Sequence, residues 1–142
     1  MKFYIGSGMK NCELVNYYAK VLKEKGFIQT YDWVKNVNND VDINDMTSYA
    51  TLEKKGIIDA DFVIILLPAG RGAHIELGIA LGLNKKIFLC ASSSLEFSLE
   101  NTVAFYELPE VTKLIGTADE NLAEIIKKLI NKLSFKIINT II

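Results

Sequence analysis

The chain has no apolar stretch long enough to cross a bilayer. Its longest, Phe62 to Leu67, is six residues, where a spanning helix needs about 20. Histidine is nearly absent: His74 is the only one, and the two cysteines, Cys12 and Cys90, form no C-x-x-C pair. That excludes the ligand set of a structural zinc site, and no metal is expected. Lys2 to Ile5 runs straight into Gly6-Ser7-Gly8, with no room for the apolar core of a secretory signal. The cysteines therefore read as free thiols in a reducing compartment, and the expected location is cytoplasmic, with no membrane partner. An excess of charge of one sign is missing too. Sixteen basic residues meet seventeen acidic ones for a formal net charge of −1, which gives no footing for a phosphate backbone, so nucleic acid is not an expected partner. Repeats, low-complexity tracts and linkers rich in Pro, Gly or Ser are also lacking. Residues 1–142 are expected to form one domain.

What is present alternates strand and helix. Phe3-Tyr4-Ile5 reads as a strand closed by Gly6 and Gly8. Asn11 to Lys25 reads as a helix stopped by Gly26, with Leu14, Tyr17, Tyr18, Val21 and Leu22 at helical spacing. Phe27 to Tyr31 is a second strand and Lys35 to Asp45 a polar loop. A helix from about Asp45 to Ile58 leads into Asp61 to Leu67, whose continuous apolar run suits a buried parallel strand. After the turn Pro68 to Gly72, the pattern predicts a helix over His74–Leu83, a strand over Lys86–Cys90, a fifth strand at Val103–Tyr106 and a last helix over Asp119–Leu133. The alternation implies a single-domain, doubly wound parallel sheet of about five strands, flavodoxin-like or Rossmann-like, with helices on both faces. Such sheets bind ligands beyond the carboxyl ends of their strands. Gly6 to Met9, Asp32-Trp33, Pro68 to Gly72 and Ala91 to Ser94 fall there.

Two carboxylates stand out. Glu76 falls near the start of a helix that follows a glycine-rich turn, where the helix dipole favours an ionised carboxylate, and an ionised carboxylate beside a sugar can attack its anomeric carbon. The same placement also fits a residue that only charge-matches the helix. Glu53 shares a helix stripe with Met46, Tyr49, Ala50 and Ile57. Burial there would raise its pKa and keep it protonated, which is how a site divides acid and nucleophile roles. A structural hydrogen bond to a nearby loop is the plainer alternative. Gly70-Arg71-Gly72 offers backbone amides and a guanidinium to a phosphate or to sugar hydroxyls, or Arg71 is a surface charge.

Other motifs fail. Gly6-Ser7-Gly8 begins like a dinucleotide fingerprint, but its third glycine falls on Asn11. Asp40-x-Asp42-x-Asn44 begins like a calcium loop, but Asp45 and Thr51 occupy the places of its glycine and its glutamate. His74 sits two residues from Glu76 and so on another side of the helix, as a structural residue would.

In order along nearly the whole chain, these segments resemble the nucleoside 2-deoxyribosyltransferase family. Tyr4-Ile5-Gly6-Ser7-Gly8 is similar to its first strand and turn. Glu53-x-x-Gly56-Ile57-x-x-Ala60-Asp61 looks like its acidic segment, and Gly72-x-x-x-Glu76-Leu77-Gly78-x-Ala80-Leu81 matches the motif that bears its nucleophile. The resemblance implies that Glu76 attacks C1′ of a deoxyribose, that Glu53 protonates the departing base, and that Tyr4 orients Glu76. It further implies that Gly6, Ser7, Gly8, Gly70, Arg71 and Gly72 surround the substrate and that Trp33 packs against the base. Asn101 would reach the sugar in a neighbouring subunit. A homo-oligomer, a dimer or larger, is implied, with no cofactor; the partners are a deoxynucleoside or deoxynucleotide and a free nucleobase.

The chain also departs from the pattern. Glu53 stands where better-known members have Asp, and Gly70 where the transferases have a substrate-binding Asp. Gly70 and Asn101 stand where the related deoxynucleoside-monophosphate hydrolases hold phosphate with serines. The expectation is a nucleoside substrate, with a 5′-monophosphate hydrolase or a non-catalytic nucleotide-sensing domain as the alternatives.

Overall fold

The structure, a computed structural model, describes residues 1–142. Five strands form one parallel sheet: β1 Lys2–Ser7, β2 Ile28–Gln29, β3 Phe62–Leu66, β4 Lys86–Ala91 and β5 Val111–Ile115, in the order β2-β1-β3-β4-β5. Four helices connect and close it: α1 Cys12–Glu24, α2 Ile43–Asp59, α3 Arg71–Gly82 and α4 Ala118–Ile141. Every residue of β3 is buried, as are Phe3 to Ser7 of β1 and Ile87 to Ala91 of β4. Strands covered on both faces need no alternation, so they read as unbroken apolar runs. The helices pair off, α1 against α4 and α2 against α3. The chain is a doubly wound α/β fold of the flavodoxin type.

Strand order reverses between β1 and β3, because β2 lies on one side of β1 and β3 on the other. The register aligns Ser7 with Leu66, so both strands end together. The turns that follow, Gly8 onward and Leu67 to Gly70, therefore open side by side at the crevice where such sheets take ligands.

Local chemistry sets several helix starts. Asp42 and Asp45 form a reciprocal capping box at the head of α2, and Thr117 caps α4 through the Glu120 amide. In contrast, α3 begins after Gly70 with no side-chain cap.

Four sequence expectations need correction. Val103–Tyr106 is not a strand: Ala104–Glu107 is a 3₁₀ turn, and the fifth strand is Val111–Ile115. That strand is an edge, with Lys113 and Ile115 exposed, so it lacks the apolar run that marks its neighbours. Helix α3 starts at Arg71, not His74, since glycine at Gly72 does not interrupt a first turn. Helix α4 runs on to Ile141, eight residues past Leu133. The stripe around Glu53 is covered only at one end. Ile57 is buried, but Met46 and Ala50 are exposed, since α2 packs on α3 and β1 through its later turns.

Candidate active site

Glu76 lies in the second turn of α3, and 9 % of its surface remains exposed. Its side chain crosses to β1, where the Tyr4 hydroxyl donates to Glu76 Oε1 at 3.0 Å. The other oxygen, Oε2, is buried and has no partner. Buried carboxylate oxygens are nearly always satisfied, which sets this one apart from the chain's other buried side-chain polar atoms. Oε2 sits directly over the backbone of Gly6. A Cβ on Gly6 would overlap it and would also meet Ile65 Cδ1 at 2.9 Å. Only glycine lets the carboxylate rest on the strand. Gly6→Ala is expected to keep the sheet but displace Glu76 and reduce turnover about 100-fold, the cost of misplacing a reacting group by roughly 1 Å. Steady-state rates beside the variant's circular dichroism would check this; full activity would mean that Glu76 does not need that seat.

The expectation that Glu76 is held ionised by the helix start is overturned. Burial, then the nearby charge of Glu53, pushes its carboxyl up to about 8, against which the Tyr4 hydrogen bond only partly pulls. Because α3 begins three residues earlier than expected, Glu76 lies beyond the first turn, where the dipole acts. Tyr4 itself is fully buried, and burial with Glu76 alongside raises its phenol, so it stays a hydrogen-bond donor.

Glu53 approaches from α2. Its carboxyl is half-buried, and desolvation raises its pKa. Three residues on, Gly56 lets α2 settle onto β1: a Cβ there would meet Tyr31 Cβ at 2.9 Å and Tyr4 Cδ2 at 3.1 Å. Thr30 pins the same place, its hydroxyl donating to Gly56 O at 2.7 Å. The close approach brings Glu53 to the pocket that also holds Glu76.

That pocket, about 660 Å³, lies over the ends of β1 and β3 and takes in Ser7, Gly8, Trp33, Gly70, Arg71 and Gly72 beside the two carboxylates. Trp33 forms a wall. It is buried, and its indole N–H donates to Ile5 O at 2.7 Å, which leaves the ring without a free polar edge. Ser7 donates to Leu66 O at 2.8 Å and accepts from Asn11 Nδ2 at 2.9 Å, while Asn11 also donates to Pro68 O at 3.2 Å. The turn after β1 is thereby tied to the turn after β3. Asn11, together with Lys10 at the rim, was not singled out by sequence. The available signal was that Asn11 replaces the third glycine of a dinucleotide motif, at a spacing of four from Ser7.

Asn101 is not in this pocket. It is exposed, and its amide donates to Leu95 O at 2.9 Å. His74 is also engaged elsewhere. Its Nδ1 lies 2.8 Å from Gly70 O, a carbonyl that can only accept, so Nε2 accepts from the Tyr106 hydroxyl at 2.7 Å. It fastens the head of α3 to the Ala104–Glu107 turn. A larger hollow of about 940 Å³ opens on that side, walled by Ile75, Leu81, Val103 and Phe105. It contains no carboxylate, whereas the smaller pocket holds both Glu53 and Glu76.

No protein-family model matches the chain, and no curated protein matches it in sequence. Among solved structures, CMP N-glycosidase BcmB of Clostridium botulinum is similar, with a TM-score of 0.59 and 21 % identity over 88 % of this chain and 98 % of that one. The chain shares the fold of that N-glycosidase.

Proposed function

We propose that this protein cleaves the N-glycosidic bond of a nucleoside or nucleotide, with Glu76 as nucleophile and Glu53 as general acid. The observation that carries the reading is the state of Glu76: a buried carboxylate with one oxygen held by Tyr4 and the other unpartnered, in a pocket shared with a second carboxyl whose pKa is also raised. The reactive form is the singly protonated pair with its proton on Glu53; burial and the charge of Glu53 favour the proton on Glu76, so this reactive tautomer is the less populated of the two. Glu76 Oε2 attacks C1′, the C1′–N bond breaks, and its electron pair leaves with the base. Glu53 delivers its proton to that base, and the sugar remains as an ester on Glu76. Water or a second base, deprotonated by Glu53, then displaces Glu76 and restores the carboxylate. The Tyr4 hydroxyl keeps Oε1 in place throughout.

Recognition of a 5′-phosphate is supported by the rim. Lys10 and Arg71 are exposed cations at the mouth of the pocket, and the head of α3 offers N–H groups with no side-chain cap. The fold neighbour's substrate, a nucleoside monophosphate by its name, agrees. The expectation from sequence was a nucleoside; these cations shift the proposal to a monophosphate. Asn101, exposed and outside its own chain's pocket, is free to reach a neighbouring copy in a homo-oligomer.

The test is chromatography of free base released from ribo- and deoxynucleoside monophosphates and from the matching nucleosides, with and without an acceptor base. Release from monophosphates at least about tenfold faster than from nucleosides is expected, as the loss of a charge-assisted contact would give. Release that requires an acceptor marks a transferase, and release without one a hydrolase. If no base appears from any of them, the reading fails.

A further inference from the structure

The far end of α4 is not part of the core. Leu129 is its last buried residue, whereas Leu133, Phe135, Ile137, Ile138, Ile141 and Ile142 are all exposed, Phe135 at 72 % and Ile141 at 79 %. At 100° per residue these side chains spread over more than half of the helix circumference. Lys128, Lys132 and Lys136 recur every four residues along the opposite side.

Charge is segregated with them. The chain as a whole has a formal net charge of −1, yet after Glu124 it carries Lys127, Lys128, Lys132 and Lys136 and no acidic side chain. None of the four makes an ion pair; the salt bridges are at Lys20, Lys35, Lys55 and Lys113. Lys86, at the start of β4, lies close enough that burial and then the like charges of Lys132 and Lys128 pull its ammonium below the usual range. Two carboxylates border the same corner, Asp61, which already accepts from the Lys2 amide, and Glu110 beside Lys85. This corner sits at the amino ends of β1, β3 and β4, away from the pocket of Glu76.

We infer that the end of α4 is a docking surface for an anionic lipid bilayer, with residues 133–142 lying in the interface and the lysines against the head groups. Opposed apolar and basic faces on one helix are the composition that lies along such an interface, where apolar burial and attraction to anionic lipid act together. A second copy of the chain fits less well. A coiled-coil pairing uses a narrow apolar seam flanked by charges of both signs, and here the apolar arc is wide and the helix carries no acid after Glu124. Ending the last helix at Leu133, as the sequence pattern suggests, hides this feature, and no spanning segment is involved.

The full chain would be sedimented with vesicles of phosphatidylcholine alone and of phosphatidylcholine containing phosphatidylserine, beside a variant carrying Phe135→Ser, Ile138→Ser and Ile142→Ser. Those three residues lie outside the core, so the variant should keep the wild-type circular dichroism and melting temperature. Retention by the anionic vesicles, weaker with added salt and on neutral lipid and reduced at least about tenfold in the variant, is expected. No retention of the wild type, or equal retention of the variant, would overturn the inference. So would a concentration-dependent dimer in sedimentation equilibrium that the three substitutions abolish, with no vesicle binding.

Discussion

Glu76→Gln should end base release while leaving the protein folded and, at high pH, more stable. The amide keeps the shape of the side chain and can still accept from Tyr4, but it cannot form an ester with C1′. Removing a covalent nucleophile of this kind costs on the order of 1,000-fold or more. The stability arm follows from linkage. Glu76 has a folded pKa of about 8 against an ordinary 4.5, so the folded state holds the proton more tightly than the unfolded one. Below 4.5 the group is neutral in both states and has no linkage effect. Between the two values the unfolded chain ionises while the folded one resists, and stability falls as pH rises, levelling off above about 8. Relieving that penalty should make the variant more stable than wild type by roughly 2–4 kcal/mol at alkaline pH and equal to it in acid. Urea unfolding of both proteins at the two extremes, beside the base-release assay, tests both arms. An active variant would remove Glu76 from the chemistry; a stability gap that does not change with pH would mean that its carboxyl is not buried against ionisation.

Glu53→Gln should be visible in the pH profile. In the wild type, turnover requires one proton on the carboxyl pair, so kcat/KM should rise as the first proton leaves and fall at about pH 8 as the second does. Without a carboxyl at position 53 no proton donor remains to be lost, and the falling limb should vanish. The rising limb should move to higher pH, because it then belongs to Glu76 alone, whose burial remains, whereas the first proton of the wild-type pair leaves while neither carboxyl is charged. The rate with ordinary bases should drop about 100- to 10,000-fold, as expected for loss of a general acid. Substrates with p-nitrophenyl-type leaving groups, which need no proton to depart, should lose far less. If they lose as much, Glu53 is not the acid; an unchanged falling limb would assign that limb to another group.

Much of this architecture was legible in the sequence, and the reasons are local. A run such as Phe62 to Leu66 can only be buried on both faces, and such strands alternating with helices force a parallel, doubly wound sheet. The glycine turns after β1 and β3 then had to meet at its carboxyl edge, which places the neighbourhood of Glu76. β5 was missed because an edge strand with lysine at its centre has no such run. The last turns of α4 were missed because their apolar residues stay outside the core and largely exposed, so periodicity there has no buried face to answer to.

Sequence by itself determined the fold class, because the alternation of apolar runs and helices is a property of residue type and spacing, and it put Glu53 and Glu76 forward as candidates. The protonation of Glu76 was decided only in the tertiary structure. A helix start argues for an anion, but ionisation depends on what surrounds the group from every side. Tyr4 from β1, the bare backbone of Gly6 and Glu53 from α2 converge on one carboxyl from three separate segments. Their combined effect, dominated by exclusion of water, reverses what the local pattern favours.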